Sequence, residues 1–471
     1  MNYPLLLLLV CLPLIGVLFV LSAKNTDITE RNFNVLNVGS LTVAADIVLI
    51  WHIFENMNIS SKFLQLVEEY VWIENPELKI VLGADVFSMI IILAVNLAFL
   101  IGFIGISQKQ KDMRYIMVFS LTALSMINGF FVAADMFSFY IFFQAMLLPI
   151  FMLIGMFGGI RKETSLFRFL TYNLLGSMFL FISTMLIYSL ENENISLNNI
   201  QRLHFEGWLA FVVWGGILVS FLSRIPIWPF HYFISSVHSN LKNPLVFIVV
   251  GLMPLTGIYG FVRFWPNVIP FISSQYIYLM EIIGVVTMLF IAVIGMVNRD
   301  MQYKLFAYMT IYYLFYLQGI FLPTSSLMSN ISYSLFSYLL IVAVLSVVNS
   351  YVERRADGGD ESSVLCKMPK LLMIASFMIL AAIGLPLSSL FMNNFIMLAE
   401  IFNHNLYIGL AVVLSMFFVS ASLLMEFYRL KGENNVNSDC VEDISNLRFL
   451  GMAAVAVLLC MSFIKPLWFV L

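Results

Sequence analysis

Long apolar runs separated by short polar turns recur along almost the whole chain. A window of about 19 residues, roughly what a helix needs to cross the hydrocarbon of a bilayer, picks out fourteen of them. They cover residues 3–23, 37–55, 84–107, 115–134, 136–157, 166–189, 208–230, 243–264, 275–297, 303–322, 330–351, 370–400, 406–429 and 448–470. A chain in lipid must satisfy its backbone polar groups internally, so the pattern predicts an all-α polytopic membrane protein with about fourteen transmembrane helices. The second run is the weakest, with Asp46 inside it and His52 and Glu55 at its end. The first has no Lys or Arg before it and is longer than the apolar core of a cleavable signal, so a retained helix is expected. Two polar stretches are long, 56–83 and 352–369, and neither is large enough for a folded domain.

Composition agrees with lipid as the main solvent. Of the 471 residues, 61% are hydrophobic and 11% charged, where a soluble domain carries about 25% charge; mean hydropathy is +0.95. The net charge of −3 offers no basic surface for nucleic acid. The four cysteines make no CxxC pair, the five histidines make no HxxxH pair, and no ligand set for an iron–sulfur cluster or c-type haem is present. No cofactor is therefore expected on this chain, and its expected partners are lipid and other membrane subunits.

Basic residues orient the spans. With fourteen alternating spans, eighteen of the 24 Lys and Arg fall in one set of loops and four in the other, leaving Arg224 and Lys465 within spans. The rich side is expected to face the cytoplasm, with both termini on the opposite side of a bacterial-type inner membrane.

Two spans are interrupted by proline. The seventh reads Ser223-Arg-Ile-Pro-Ile-Trp-Pro-Phe-His231, broken at Pro226 and Pro229, and the twelfth reads Ile383-Gly-Leu-Pro-Leu-Ser-Ser389, broken at Pro386. The breaks lie five spans apart, and copies starting an odd number of spans apart are inverted in the membrane. That spacing predicts two inverted five-helix repeats over 115–264 and 275–429, with residues 1–107 before them and 448–471 after, in one membrane domain. Transporters built this way carry their ion path near the breaks.

Ionisable groups deep in spans are costly and point to function. Arg224 is the sharpest candidate; it either lines a pathway, is tied to carbonyls freed by Pro226 and Pro229, or snorkels to an interface. Gln144 sits mid-span, where an amide commonly joins helices. Asp135 and Asp85 stand at span starts, where capping is expected. Glu400 and Glu426 lie near span ends, with solvent exposure expected, and Glu281 is a turn or two inside its run. His231 and His238 are seven residues apart, close to two helical turns. Lys304 opens the tenth run and would mark its cytoplasmic boundary.

Several stretches together resemble subunit M of the bacterial proton-translocating NADH-quinone oxidoreductase, a family of antiporter-like membrane subunits. Phe139-Tyr-Ile-Phe-Phe-Gln-Ala-Met-Leu-Leu-Pro149 resembles its fifth helix, and Leu66-Val-Glu-Glu-Tyr-Val-Trp-Ile73 with Gly83-Ala-Asp-Val-Phe-Ser88 its segment before the third helix. Arg224 to His231, His238 and Gly257-Ile-Tyr-Gly-Phe261 resemble the broken seventh helix and the eighth; Gly384-Leu-Pro386 with Phe391 and Phe395 resembles the broken twelfth. The resemblance implies a membrane-arm subunit coupling quinone reduction to proton translocation, with redox centres on other subunits.

The departures from that family fall on its titratable positions. The resemblance sets a glutamate against Gln144, lysines against Arg224 and Leu255, a histidine against Tyr313 and a glutamate against Asn394. Arginine holds its proton, and glutamine, asparagine and leucine cannot ionise, so the proton relay of this chain is expected to be impaired. The ion-pathway residues on this reading are Gln144, Arg224, His231, His238, Lys304 and Asn394. A subunit of a multi-subunit cation/proton antiporter, and a structural or assembly subunit without ion flux, are the alternatives.

Overall fold

A computed structural model describes residues 4–23, 28–58, 61, 64–74, 78–107, 110, 112–159, 162–191, 196–197, 205, 207–231, 241, 243–268, 274–322, 327–355, 365–386, 388–432 and 443–464. Ten of the described helices are long and apolar enough to cross a membrane. The remaining expected spans coincide with helices that are shorter or more polar. The chain forms two compact units, one of residues 1–96, 107–240 and 249–280, the other of 97–106, 241–248 and 281–471.

In the first unit α1 (Leu5–Ser22) packs on α2 (Ile28–Glu55) and on α4 (Met113–Val132). The second helix begins nine residues before the apolar run that announces it, because the mostly polar stretch Ile28 to Asn34 is also helical. Between α2 and α3 (Val86–Gly105) the chain forms an antiparallel hairpin of β1 (Gln65–Ile73) and β2 (Leu78–Ala84), with Tyr70 opposite Ile80 and Glu69 opposite Val81. This hairpin departs from an all-α architecture. Its cause is local: β-branched and aromatic residues suit a pleated strand, and a membrane-length window averages over strands of nine and seven residues.

The hairpin braces its unit. The Glu68 carboxylate accepts hydrogen bonds from the Leu6 and Leu7 amides at 2.9 and 3.0 Å, satisfying N–H groups that the first turn of α1 leaves unpaired. The Asp135 carboxylate accepts from Phe137 and Ser138 N–H at 3.0 and 3.1 Å, capping α5 (Met136–Ala145), and from Val81 N–H of β2 at 3.2 Å. Asp85 caps through Ser88 N–H at 2.9 Å and pairs with Arg263 at 2.5 Å.

The fifth span is itself divided. Pro149 offers no N–H to the Ala145 carbonyl, so α5 ends at Ala145 and α6 (Leu147–Phe157) follows after a turn at Met146. Next come α7 (Lys162–Glu191) and α8 (Gly207–Leu222), which pack closely. Their seam is built from small residues: Ser183 of α7 meets Gly216 of α8, and two turns away Gly176 meets Ser223 just past the end of α8, the kind of close approach that membrane helices use in place of a hydrophobic drive. Further on, α9 (Pro244–Gly251) and α10 (Met253–Val268) are separated by a turn at Leu252. A buried aromatic cluster of Phe130, Phe139, Phe143, Phe221, Tyr259 and Phe264 fills the unit.

The second unit holds α11 (Ser274–Val297) from Glu281 onward, α12 (Met301–Phe321), α13 (Leu327–Arg355), α14 (Pro369–Ile383), α15 (Ser389–His404), α16 (Leu406–Lys431) and α17 (Asn446–Ile464). Here α13 packs on α15, α12 on α16, and α14 on α17. Almost all of α12 is buried, and Asp300 caps it by accepting from Gln302 N–H at 3.1 Å.

Candidate functional site

The seventh span breaks as its prolines require. Helix α8 ends at Leu222, residues 223–226 turn, and the Trp228–Pro229 peptide is cis. Pro226 is buried and Pro229 exposed. Arg224 is wholly buried at the start of this break. Its partners are not the carbonyls freed by Pro226 and Pro229, and it does not reach an interface. The guanidinium instead donates to the Phe143 carbonyl, to Met146 Sδ at 3.0 Å and to Thr256 Oγ1 at 3.1 Å. It lies 3.3 Å from the centroid of the Phe143 ring, a cation–π contact. The division of the fifth span turns this segment of backbone toward the charge, so two broken helices meet at one arginine. Among the described residues no carboxylate pairs with it, and its Nε–H is buried without an acceptor.

Gln144 neighbours Phe143 in the chain but does not join helices through its side-chain oxygen, which is buried and lacks a hydrogen-bond partner among the described residues. Leu255 is fully buried beside Thr256. His231 is half-buried at the end of the described break; His238 lies outside the described residues, so whether the two histidines share a face is not part of this geometry. The structure thus brings Arg224 to the fifth span and leaves Lys304 and Asn394 in the other unit.

In the second unit Lys304 does not mark a solvated boundary. Its Nζ lies 2.7 Å from Glu426 Oε2, and the two side chains are 6% and 1% exposed. The expected exposure of Glu426 is therefore overturned; α16 turns it inward, and Arg429 pairs with its other oxygen. Two cations on one carboxylate compensate the desolvation that burial imposes. Glu400 is half-buried. Glu281 is buried, with Oε1 at 3.3 Å from His404 Nε2, and its backbone carbonyl accepts from Gln318 Nε2 at 3.0 Å.

The twelfth span breaks between α14 and α15. Gly384 adopts φ +103°, a left-handed conformation that glycine takes without a Cβ penalty, and exposed Pro386 follows. Pro386 has no N–H for the Ala382 carbonyl four residues back. That carbonyl accepts instead from the Tyr312 hydroxyl at 3.1 Å and the Tyr308 hydroxyl at 3.4 Å. Asn394 is buried on α15, and its side-chain oxygen has no hydrogen-bond partner among the described residues.

Tyr313, set against the family's histidine, sits in a fully buried phenol cluster with Tyr308, Tyr312, Tyr316 and Tyr338. This cluster was missed in the sequence, although its signal was there: tyrosines at 308, 312, 313 and 316 fall on one side of a helix.

Comparison with known proteins fits this geometry. The family model described as NADH:quinone oxidoreductase/Mrp antiporter, TM, matches residues 133–420. Proteins named NADH-quinone oxidoreductase subunit M are similar over nearly the full length. That of Rickettsia conorii is 26% identical over 438 residues, covering 91% of this chain and 88% of the relative. That of Rhodobacter capsulatus is 24% identical over 465 residues, covering 95% and 89%. Among solved structures, a chain of respiratory complex I from Thermus thermophilus with bound NADH superposes with a TM-score of 0.84 at 20% identity, covering 98% of this chain and 96% of that one. A chain of the Mrp complex from Dietzia sp. DQ12-45-1b gives 0.78 at 16% identity, covering 97% and 49%.

Proposed function

The chain belongs to the NADH:quinone oxidoreductase/Mrp antiporter transmembrane family, and from that premise we propose that it is the subunit-M-type, antiporter-like membrane subunit of an NADH-quinone oxidoreductase. The observation that carries this reading is the near-full-length similarity to proteins of that name. On it the chain has fourteen spans in two inverted five-helix repeats, 115–264 and 275–429. Both termini face away from the cytoplasm, other membrane subunits flank it, and quinone chemistry proceeds on subunits that hold the redox groups.

The same reading assigns the ion pathway to Gln144, Arg224, His231, His238, Lys304 and Asn394, with the relay impaired at Gln144, Arg224, Leu255 and Asn394. Arginine does not deprotonate in proteins, and buried Arg224 is held by a carbonyl, a thioether, a hydroxyl and a ring rather than by a carboxylate among the described residues. A group so held keeps its charge and passes on no proton.

Purification from native membranes in mild detergent tests the assignment. Co-purifying redox subunits are expected; small antiporter subunits alone would move the chain to a cation/proton antiporter, and no partner would overturn both. The impairment is tested in the reconstituted complex with a pH-sensitive dye. Gln144→Glu combined with Arg224→Lys is expected to raise proton uptake per NADH, and abolition of robust uptake by Arg224→Ala would overturn the impairment.

A further inference from the structure

Arg224 is a full positive charge, wholly buried, on a side chain that does not deprotonate in proteins. Its acceptors are all neutral: the Phe143 carbonyl, Met146 Sδ at 3.0 Å and Thr256 Oγ1 at 3.1 Å. The Thr256 hydroxyl gives its own proton to the Met253 carbonyl at 2.7 Å. The five N–H donors of the guanidinium thus meet three acceptors among the described residues, and Nε–H meets none of them.

The segments around the charge hold no counter-ion. Residues 207–280, which include the break, α9 and α10, contain no aspartate or glutamate, and neither do residues 136–162, which include α5 and α6. Asp85 is paired with Arg263, and Asp135 caps the opposite end of α5 from Ala145. The carbonyl end of α5 lends about half an elementary charge. Phe221, Ile225, Leu252, Met253 and Leu255, which flank Arg224 and Thr256 in the chain, are apolar and buried. Neutral acceptors and a ring recover only part of the hydration that burial strips from a cation. Snorkelling, the usual relief for a long basic side chain, is closed to one that does not reach the surface.

We propose that Arg224 holds a small monovalent anion of the halide class, seated on the Nε–H edge of the guanidinium. The charge fixes the valence: a dianion such as phosphate brings a second negative charge, and the next arginine along the chain, Arg263, already has its carboxylate. The group left over is a donor, so the ligand is an acceptor, and a spherical ion accepts from neighbouring N–H groups at any angle. An apolar shell favours ions that lose least on leaving water, so bromide and chloride are preferred to fluoride. The site rests on the setting of Arg224 alone, so it goes beyond the reading above and does not depend on which complex the chain joins.

The purified full chain in lipid nanodiscs, dialysed against gluconate, tests it with radioactive chloride as the probe. A single saturable chloride per chain is expected, displaced by bromide more readily than by fluoride. Arg224→Met removes the charge, and Thr256→Asp sets a carboxylate where the guanidinium already has a partner. Each is expected to abolish the retention, and Thr256→Ser, which keeps the hydroxyl, to preserve it; circular dichroism identifies the folded variants. Crystals of the wild-type chain grown in bromide locate the ion without any variant, with anomalous density expected within hydrogen-bond distance of Arg224 Nε. The proposal is overturned by a folded wild-type chain that retains no saturable chloride, by bromide density only elsewhere, or by undiminished retention in folded Arg224→Met or Thr256→Asp. A partner list without redox subunits would sink the family role and leave this site standing.

Discussion

Lys304 and Glu426 form an ion pair 2.7 Å long between α12 and α16, withdrawn from solvent. Removing one member leaves the other charge buried without its partner, which costs far more than the pair contributes. Glu426→Gln is expected to destabilise the protein by about 3–5 kcal/mol. The apolar double replacement Lys304→Met with Glu426→Leu should recover most of that loss. Unfolding in graded denaturing detergent checks both, and a double variant no more stable than the single would contradict the pairing.

Glu68 reaches from the hairpin to the first turn of α1. Carboxylates at helix starts satisfy free amides and oppose the macrodipole. Glu68→Ala should cost about 1 kcal/mol, concentrated locally: the Leu6 and Leu7 amides are expected to exchange hydrogen faster while those of α4 stay protected. Uniform acceleration across both helices would mean that the hairpin acts otherwise.

Burial raises the Asp135 carboxyl above its ordinary value, although hydrogen bonds from Ser138, Val81 and Phe137 pull the other way. The folded chain therefore holds this proton more tightly than the unfolded one. Stability from this group is present below the unfolded value of about 3.8 and declines as pH rises from there through the raised folded value. Asp135→Asn, which keeps an accepting oxygen for the cap, should remove that part of the pH dependence. The difference between wild-type and variant unfolding midpoints, followed from acid to neutral pH, is expected to shift toward the variant as pH rises.

At the α7–α8 seam a Cβ on Gly176 would stand 2.6 Å from Ser223 Cβ. Gly176→Ala should push the helices apart and cost about 1–3 kcal/mol, as overpacking does. Ser223→Gly is expected to restore stability in the double variant. Thermal unfolding of the four proteins closes the cycle, and additive losses would show that the two positions do not touch.

Much of this architecture was legible in the chain. Apolar runs announce helices because lipid leaves the backbone no alternative, and Pro386 and Pro226 mark breaks because a missing N–H is a property of the residue itself. Long-range compensation was not legible. Nothing near Arg224 in sequence identifies Phe143 as its acceptor, since that carbonyl is presented by the break in another helix. Lys304 and Glu426 each lie near the end of an apolar run, and position along a run says little about which neighbour closes over a side chain. The hairpin escaped for a different reason, strand periodicity being too short for a window matched to a bilayer.

Helix α12 is encased by protein, and it is not among the helices apolar enough to cross a membrane unaided. A segment of that polarity gains little from entering lipid alone. On the fourteen-span reading proposed above, its insertion accompanies that of flanking α11 and α13, both of which are sufficiently apolar. Biogenesis of this half of the molecule then becomes a cooperative event at the translocon, in which the central segment waits for its escorts. Trimming either escort would strand the tyrosine-rich segment in the aqueous phase.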